Sequence, residues 1–289
     1  MQGHDIVDAG GPRLALVLGS GGVRSVAALG IAEVLGGAGL KPDLVVGCSS
    51  GALFGACIAK GWTGRQGLEA AIQLWSADLT RKRRWRAFFE IFAPRFWRFG
   101  PDFALRDAAL IRARIERAFG AIHIGELPVP LRVVATDAST GRRVILRDGR
   151  LADAVRASMA LPILFPSVEI GGRRLTDGVL CDPLPVSAAR DARAIVTVGF
   201  RGSLPSRVDR VSRLVAQVTT TMINNLQEAR VAAADGARMF HFELDIDRRI
   251  GLWETRAMPR IFEAGREAAR QKLPEIVQLL GQSSAGLAA

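Results

Sequence analysis

Histidine and cysteine are scarce in this 289-residue chain, which contains three of each. The cysteines Cys48, Cys57 and Cys181 show neither the close pairs of a zinc site nor the even count of a disulfide framework. We therefore expect no metal, no organic cofactor and a reducing, cytoplasmic compartment. The scarcity of histidine also leaves few candidates for a general base.

Long apolar runs are absent as well. No stretch reaches the roughly 18 uninterrupted apolar residues of a membrane-spanning helix. Residues 1–12 also lack the basic start and apolar centre of a secretory signal. We expect a soluble protein with at most peripheral contact with the inner face of the membrane. The net charge of +11 favours an anionic partner surface. Nucleic acid is not expected as a partner, because no nucleic-acid-binding motif accompanies the charge.

Alternating strand and helix patterns predict the fold. Two apolar runs are each followed by a glycine-containing turn and a segment with helical spacing, which indicates βαβ units and a parallel sheet. We predict a single α/β domain over residues 13–280, with a mainly parallel central sheet in a three-layer α/β/α arrangement. Residues 1–12 and 281–289 are predicted to be flexible tails. The predicted strands are 13–18, 43–46, 131–135, 194–200 and 239–244, and the predicted helices are 23–40, 52–60, 208–229 and 260–271.

The most informative motif is the pentapeptide Gly47-Cys48-Ser49-Ser50-Gly51. It follows an apolar strand and leads into a helix, so the G-x-S-x-G pattern predicts a tight strand-to-helix elbow with the central serine exposed. Glycines on either side suit such a turn because they lack a Cβ. Ser49 is therefore the candidate nucleophile. A cysteine nucleophile at Cys48 is the less favoured alternative, since the elbow presents the central position.

A second glycine-rich turn, residues 19–24, lies between the first predicted strand and helix. Backbone N–H groups at a helix start attract negative charge, so the turn suits either a phosphate or the oxyanion of an acyl transfer. Dinucleotide binding is disfavoured because Arg24 occupies the place of the third glycine of G-x-G-x-x-G. The amides of Gly21, Gly22 and Val23 are candidate oxyanion donors, with the Ser50 amide as a further one. Arg24 is expected to add positive charge or to pin the turn.

Histidine is the usual base for a catalytic serine. His4 lies in the predicted N-terminal tail and His123 in an edge-like segment. His241 follows Ser49 and the later aspartates, as in an α/β-hydrolase triad. It falls within a strand pattern, however, whereas a catalytic histidine normally occupies a loop. We interpret His241 as structural, and the triad that uses it remains an alternative.

Three ordered motifs resemble those of the patatin-like phospholipase family, especially its small bacterial esterase-like members. They are residues 20–24, the elbow pentapeptide and Asp177-Gly178. The resemblance covers about residues 13–200. It implies a Ser-Asp dyad carried by Ser49 and Asp177, an oxyanion hole in the glycine-rich turn, and no catalytic histidine. Without the resemblance, Asp177-Gly178 is equally well a tight turn.

Three positions depart from the family pattern. Ser20 and Ser25 stand where the G-G-G-x-R-G turn has glycine, and Val179 stands where glycine or alanine commonly follows the Asp-Gly pair. We expect these departures to affect the choice of substrate more than catalysis.

A basic aromatic segment, residues 81–103, is expected to form a cap beside the elbow. Between residues 81 and 98 there are seven basic residues and one acid, and an aromatic stripe has helical spacing. A cationic helix of this kind suits the interface of an anionic membrane, so peripheral contact through residues 81–99 is one hypothesis. The alternative is a helix that packs its aromatic face on the core.

The sequence as a whole predicts a serine hydrolase that cleaves acyl esters of lysophospholipids or phospholipids through an acyl-enzyme intermediate. The rival from another class is a catalytically silent lipid-binding or regulatory protein on the same fold.

Overall fold

The structure is a computed structural model that describes residues 11–75, 104–105, 108–234, 238–244, 246, 250–251 and 254–285. The predicted cap segment, residues 81–103, and most of the predicted N-terminal tail lie outside the described residues. Within the part that is described, no helix combines the length and the apolar character needed to cross a bilayer.

A mixed, mostly parallel sheet forms the centre of the domain. Its strands follow the order β5-β6-β3-β2-β1-β7-β8, and β4 also pairs with β3. The five strands from β3 to β8 are parallel, while β4, β5 and β6 pair antiparallel at the β3 end. The strands are β1 (Leu14–Leu18), β2 (Leu44–Cys48), β3 (Leu131–Asp137), β4 (Arg143–Leu146), β5 (Val168–Ile170), β6 (Arg173–Asp177), β7 (Ala194–Gly199) and β8 (Met239–Glu243).

Helices flank the sheet on both sides. Short 3-10 helices at Gly22–Val26, Ile124–Glu126, Gly178–Leu180, Val186–Ala189 and Thr255–Ala257 accompany them. The α-helices are α1 (Ala27–Gly37), α2 (Ser50–Ala59), α3 (Gly64–Leu74), α4 (Ala109–Phe119), α5 (Leu151–Ser158), α6 (Val211–Ala232) and α7 (Met258–Ala285).

The side chains of β1 show how the sheet separates two apolar layers. Leu14, Leu16 and Leu18 point to the larger core, which contains buried residues of α1, α2, α3 and α7. Ala15 and Val17 point to the opposite face, which is covered by the Val186–Ala189 turn and the C-terminal end of α6. Both faces of the central strands are therefore buried, as expected for parallel strands that read as continuous apolar runs.

The predicted α/β fold, with a mostly parallel sheet flanked by helices, is confirmed. The sequence analysis missed the three antiparallel strands β4, β5 and β6, which are only three to five residues long, and the helices α3, α4 and α5. The last helix is also longer than predicted. It continues to Ala285, five residues into the segment that was expected to be a flexible tail.

Candidate active site

Ser49 occupies a sharp turn between the end of β2 and the start of α2. Its backbone has φ +56° and ψ −126°, a conformation that residues with a side chain rarely adopt. Strain of this kind costs about 1 to 3 kcal/mol and persists where neighbouring contacts enforce it. One such contact runs through the buried Ser158: the Ser49 N–H donates to the Ser158 hydroxyl at 2.8 Å, and that hydroxyl donates to the Val134 carbonyl at 2.6 Å.

The two glycines of the pentapeptide allow neighbouring backbone to pass very close to the elbow. A Cβ at Gly51 would lie 2.4 Å from the carbonyl oxygen of Leu18, and a Cβ at Gly47 would lie 2.5 Å from the Cα of Ala52. Both distances are shorter than real Cβ contacts, and the atoms that would be met belong to backbone. The elbow therefore requires glycine at both positions, as the sequence indicated.

Asp177 meets Ser49 from the antiparallel edge of the sheet. It is the last residue of β6, which pairs with β3, and its Oδ2 accepts a hydrogen bond of 2.8 Å from the Ser49 hydroxyl. Its Oδ1 accepts from the Val179 N–H at 2.9 Å, and Thr136 Oγ1 donates to its backbone carbonyl at 2.8 Å. The carboxyl group is thus fixed in the position that the predicted dyad requires.

Burial changes the acidity of this carboxyl group. Asp177 is only 2% exposed. Desolvation raises its pKa to about 7, although the hydrogen bonds from Val179 and Ser49 act in the opposite direction. A carboxyl group with a pKa near neutrality can both accept and return a proton at physiological pH, which a solvated aspartate does poorly.

The glycine-rich turn lies against the elbow, and both line a cavity over Ser49 and Asp177. The N–H groups of Gly21 and Gly22 donate to the Ser50 hydroxyl at 3.1 and 2.9 Å, and the Ser25 hydroxyl lies 2.9 Å from the same oxygen. Because Ser50 is fully buried, these two amides are directed into the protein and not toward Ser49. The structure thus brings the predicted turn to the site but engages two of its amides internally.

Arg24 is a buried residue that braces the turn. Its Nε donates to the Gly21 carbonyl at 3.3 Å and its Nη1 donates to the Arg201 carbonyl at 2.9 Å. Of the two roles that the sequence suggested for Arg24, the contacts support pinning of the turn. Val23, between Arg24 and the glycines, has a fully buried side chain.

A cavity of about 160 Å³ opens over Ser49 and Asp177. Its polar wall is formed by the elbow and the glycine-rich turn, and its remaining walls are largely apolar. Such a lining accommodates a hydrocarbon chain beside a small set of oriented polar groups. The apolar side chains are Trp75, Met159, Leu161, Phe165, Val179, Phe200 and Ile223.

The alternative base is remote from this arrangement, and the alternative nucleophile, although it precedes Ser49 directly, does not line the cavity. His241 lies in β8, three strands from β2, which corresponds to about 14 Å at a strand spacing of about 4.8 Å. Its Nδ1 is 2.6 Å from Thr197 Oγ1. Cys48 is fully buried, and desolvation together with the charge of Asp177 raises its pKa well above the ordinary value. A thiolate is thereby disfavoured at this position.

Several residues that support the site had no individual signal in the sequence. Ser158 and Ser50 position the elbow and the turn through hydroxyl contacts, and serine is too common near glycine to stand out. The buried Asp182 accepts from Arg143 on β4 at 2.5 Å and from Arg230 on α6 at 3.0 Å, which fastens the segment after Asp177 to both elements. Among the residues that the structure describes, no group of three or more histidine, cysteine, aspartate or glutamate side chains could hold a metal ion.

Curated relatives resemble the chain at moderate identity. The uncharacterized NTE family protein Rv1063c of Mycobacterium tuberculosis is 32% identical over 204 residues, covering 66% of this chain and 50% of its own length. Rv2565 of the same organism is 30% identical over 299 residues, covering 93% of this chain and 48% of its own. Patatin-like phospholipase domain-containing protein 7 of Rattus norvegicus is 30% identical over 192 residues, covering 66% of this chain and 14% of its own. The chain thus spans about half the length, or less, of these relatives.

The solved structures that resemble this chain include VipD from Legionella pneumophila. Its TM-score is 0.46 at 14% sequence identity, and the match covers 94% of this chain and 67% of VipD. The type III effector ExoU has a TM-score of 0.37 at 14% identity, covering 90% of this chain and 53% of that one. The patatin-like phospholipase family model matches residues 16–190, which include the glycine-rich turn, the elbow and Asp177. On that match, this chain belongs to the patatin-like phospholipase family.

Proposed function

We propose that this chain hydrolyses carboxylic esters of lipids, with Ser49 as the nucleophile and Asp177 as the general base. Membership of the patatin-like phospholipase family supports lipid ester hydrolysis in general. The observation that carries the assignment of residues is the 2.8 Å hydrogen bond from Ser49 Oγ to Asp177 Oδ2 on the wall of an apolar cavity.

The acylation step follows from this contact. Ser49 Oγ attacks the ester carbonyl carbon while its proton moves to Asp177 Oδ2, and the carbonyl oxygen becomes an oxyanion. When the tetrahedral intermediate collapses, the bond to the leaving alkoxide breaks and that oxygen takes the proton from Asp177. The products of this step are an alcohol and an acyl ester of Ser49.

Deacylation uses the same groups in reverse. A water molecule attacks the acyl carbon and gives its proton to Asp177, and Ser49 Oγ leaves with that proton to restore the hydroxyl. A pKa near 7 suits both halves of the cycle because Asp177 must accept a proton and then return it. No other titratable group is required.

The oxyanion needs N–H donors directed at it, each worth about 3 to 4 kcal/mol in the transition state. We assign this role to the glycine-rich turn and the start of α2. Since Gly21 and Gly22 donate to the Ser50 hydroxyl, the amides of Val23 and Ser50 are the proposed direct donors. Both belong to the first turn of a helix, where N–H groups lack a partner within the helix.

The apolar cavity walls fit an acyl chain, and lysophospholipids or phospholipids are the proposed substrates. Peripheral contact with an anionic membrane through residues 81–99 and a cytoplasmic location are parts of the same proposal. Both rest on the sequence, because that segment lies outside the described residues.

The test combines covalent labelling with a lipid panel. We expect a fluorophosphonate to label the wild-type chain at Ser49, and Ser49→Ala to abolish labelling and hydrolysis. Asp177→Asn should lower kcat by about 10³-fold or more, while His241→Ala should retain activity within about threefold. Circular dichroism and thermal unfolding show whether each variant is folded.

Two results would contradict the proposal. A folded wild-type chain that neither reacts with the fluorophosphonate nor cleaves any ester would support the silent lipid-binding protein. Loss of hydrolysis in a folded His241→Ala variant, with Asp177→Asn still active, would support the histidine triad.

A further inference from the structure

Helix α6 carries a row of apolar side chains that face solvent. Val211 is 78% exposed, Val218 is 50% exposed and Met222 is 65% exposed. Together with neighbours on the helix and in the preceding loop they form one surface, which we call the α6 apolar face. It consists of Leu204, Val208, Val211, Leu214, Val215, Val218 and Met222.

An apolar stripe on a surface helix normally covers the core. Here the polar contacts that attach α6 to the rest of the domain are concentrated near its C-terminal end. The Asn224 side chain exchanges two hydrogen bonds with the backbone of Gly202, and Arg230 pairs with the buried Asp182. The first three turns of the helix leave their apolar side chains uncovered. A contiguous exposed apolar patch on a folded domain marks an interaction site.

Helix α6 also borders the cavity described above, with a different side from the one that carries the α6 apolar face. Thr220 and Ile223 on the same helix line the cavity together with Ser49. At about 100° per residue, Thr220 lies on the side of the helix opposite Val211 and Val218. Whatever covers the α6 apolar face therefore contacts the helix that forms one wall of the cavity over Ser49.

The charged residues around the α6 apolar face indicate which kind of partner covers it. Arg207, Arg210 and Arg213 lie within the same stretch, and all three are exposed. Asp209 is the one acidic residue between Leu204 and Met222, and it forms an ion pair of 2.7 Å with Arg213. The surface is therefore apolar with a net positive margin, the combination that binds an anionic bilayer interface.

We infer that the α6 apolar face docks on the surface of an anionic lipid membrane. The choice of lipid as the occupant rests on the proposed function. Valine and methionine side chains would enter the boundary of the acyl chains, while the arginines would contact the phosphate groups. This docking would hold the domain on the membrane that contains its proposed substrates, with helix α6 between the bilayer and the cavity lined by Thr220 and Ile223.

Two other occupants fit the charge less well. A second copy of the chain, related by two-fold symmetry, would bring the same arginines of both subunits, including Arg207 and Arg210, into one interface. The basic aromatic segment has seven basic residues and one acid between residues 81 and 98, so it would add positive charge to a positive margin. An anionic lipid surface has the opposite charge and therefore avoids both of these like-charge contacts.

The experiment measures vesicle binding in a Ser49→Ala background, so that lipids stay intact. The test variant adds Val211→Ser, Val218→Ser and Met222→Ser. The matched control adds Ile72→Ser and Val277→Ser, which alter exposed apolar residues on α3 and α7. We expect co-sedimentation with vesicles of phosphatidylglycerol and phosphatidylcholine to fall by about tenfold or more in the test variant only. Binding to pure phosphatidylcholine should be weak throughout.

Activity on a soluble short-chain ester separates this inference from the proposed function. With Ser49 intact, the three α6 substitutions should leave that activity within about twofold, because the soluble ester does not need the membrane. A wild-type chain that binds vesicles as expected but cleaves no ester would refute only the proposed function.

Three results would overturn the docking inference. The first is unchanged vesicle binding in the folded test variant. The second is equal binding to neutral and anionic vesicles. The third is a wild-type dimer that the α6 substitutions convert to a monomer in sedimentation velocity, which would assign the α6 apolar face to a second copy.

Discussion

The elbow and helix α6 border one cavity, yet they are built in opposite ways. At the elbow, polar groups are buried and each is fixed by a partner, as with Asp177, Ser158 and Ser50. On α6, apolar side chains such as Val211 are exposed and touch little. Chemistry on the ester needs atoms held to fractions of an ångström, whereas contact with a fluid lipid surface needs only a suitable area and charge.

The two regions also contribute differently to stability. At the elbow, the strained backbone of Ser49 and the desolvated carboxyl group of Asp177 lower the free energy of unfolding. On helix α6, the exposed apolar stripe does not contribute the free energy that its burial would supply. Substitutions in the two regions should therefore change the free energy of unfolding by different amounts and, for Asp177, in the opposite direction.

The largest effect is expected at Gly51. A Cβ there would lie 2.4 Å from the Leu18 carbonyl oxygen, so Gly51→Ala should destabilise the fold by about 3 to 5 kcal/mol and remove activity. Gly36→Ala is the matched control because no atom lies within 4 Å of its added Cβ, and it should be neutral or slightly stabilising. Urea unfolding of both variants makes the measurement. Equal stability of the two would mean that the elbow is looser than described.

Asp177→Asn should raise stability while it lowers activity. The folded pKa of about 7 exceeds the ordinary value of 3.8, so the folded state binds the proton more tightly. The contribution of Asp177 to stability is therefore fully present below pH 3.8 and is lost as the pH rises to 7. The asparagine variant avoids that loss, and its advantage should reach on the order of 1 to 4 kcal/mol above pH 7.

Unfolding of Asp177→Asn and of the wild type at pH 5 and pH 8 tests the sign, and the advantage of the variant should be larger at pH 8. The same pKa predicts that kcat/KM of the wild type rises with pH through about 7, as the carboxylate form of the free enzyme accumulates. A variant that is less stable than the wild type at pH 8 would contradict the burial argument.

Ser50→Ala should have an intermediate effect. It removes the buried oxygen that accepts hydrogen bonds from the N–H groups of Gly21 and Gly22, so the glycine-rich turn is no longer held in position against the elbow. We expect kcat to fall by about tenfold, or about 1.4 kcal/mol, with KM little changed. Ser50→Thr keeps the hydroxyl and should retain most of the activity. Full activity in Ser50→Ala would show that the turn holds its shape unaided.

The smallest effect is expected on α6. Val215 is 43% exposed, so Val215→Ala should change the free energy of unfolding by no more than about 0.5 kcal/mol. Val46→Ala in β2 removes the same atoms from a fully buried site and should cost about 2 kcal/mol. Chemical denaturation gives both values. A cost at Val215 that matches the cost at Val46 would mean that the α6 apolar face is buried in solution.

The two regions also differ in how far they could be predicted from sequence. The elbow could be predicted because the G-x-S-x-G motif is contiguous in sequence, although the contact that requires glycine at Gly51 comes from Leu18 on β1. The pairing of Ser49 with Asp177 could not, since it joins positions 128 residues apart through β6, an antiparallel strand that local patterns missed. Only the resemblance to the patatin-like phospholipase family predicted this pairing.

For α6, the spacing of apolar residues correctly predicted a long helix but not what the stripe would face. Periodicity places side chains on one side of a helix and carries no information about the partner on that side. The hydroxyl contacts of Ser50 and Ser158 were likewise invisible, because serine near glycine is ordinary turn composition.

The attachment of α6 gives the cavity wall a mechanical character. A helix of 22 residues is about 33 Å long, and its contacts with Gly202 and Asp182, made by Asn224 and Arg230, lie in its C-terminal half. The helix is therefore attached to the domain near Arg230, while its N-terminal end at Val211 has few contacts. A force on that end would tilt Thr220 and Ile223 relative to the elbow. The width of the cavity above Ser49 would then depend on what the N-terminal end of α6 contacts.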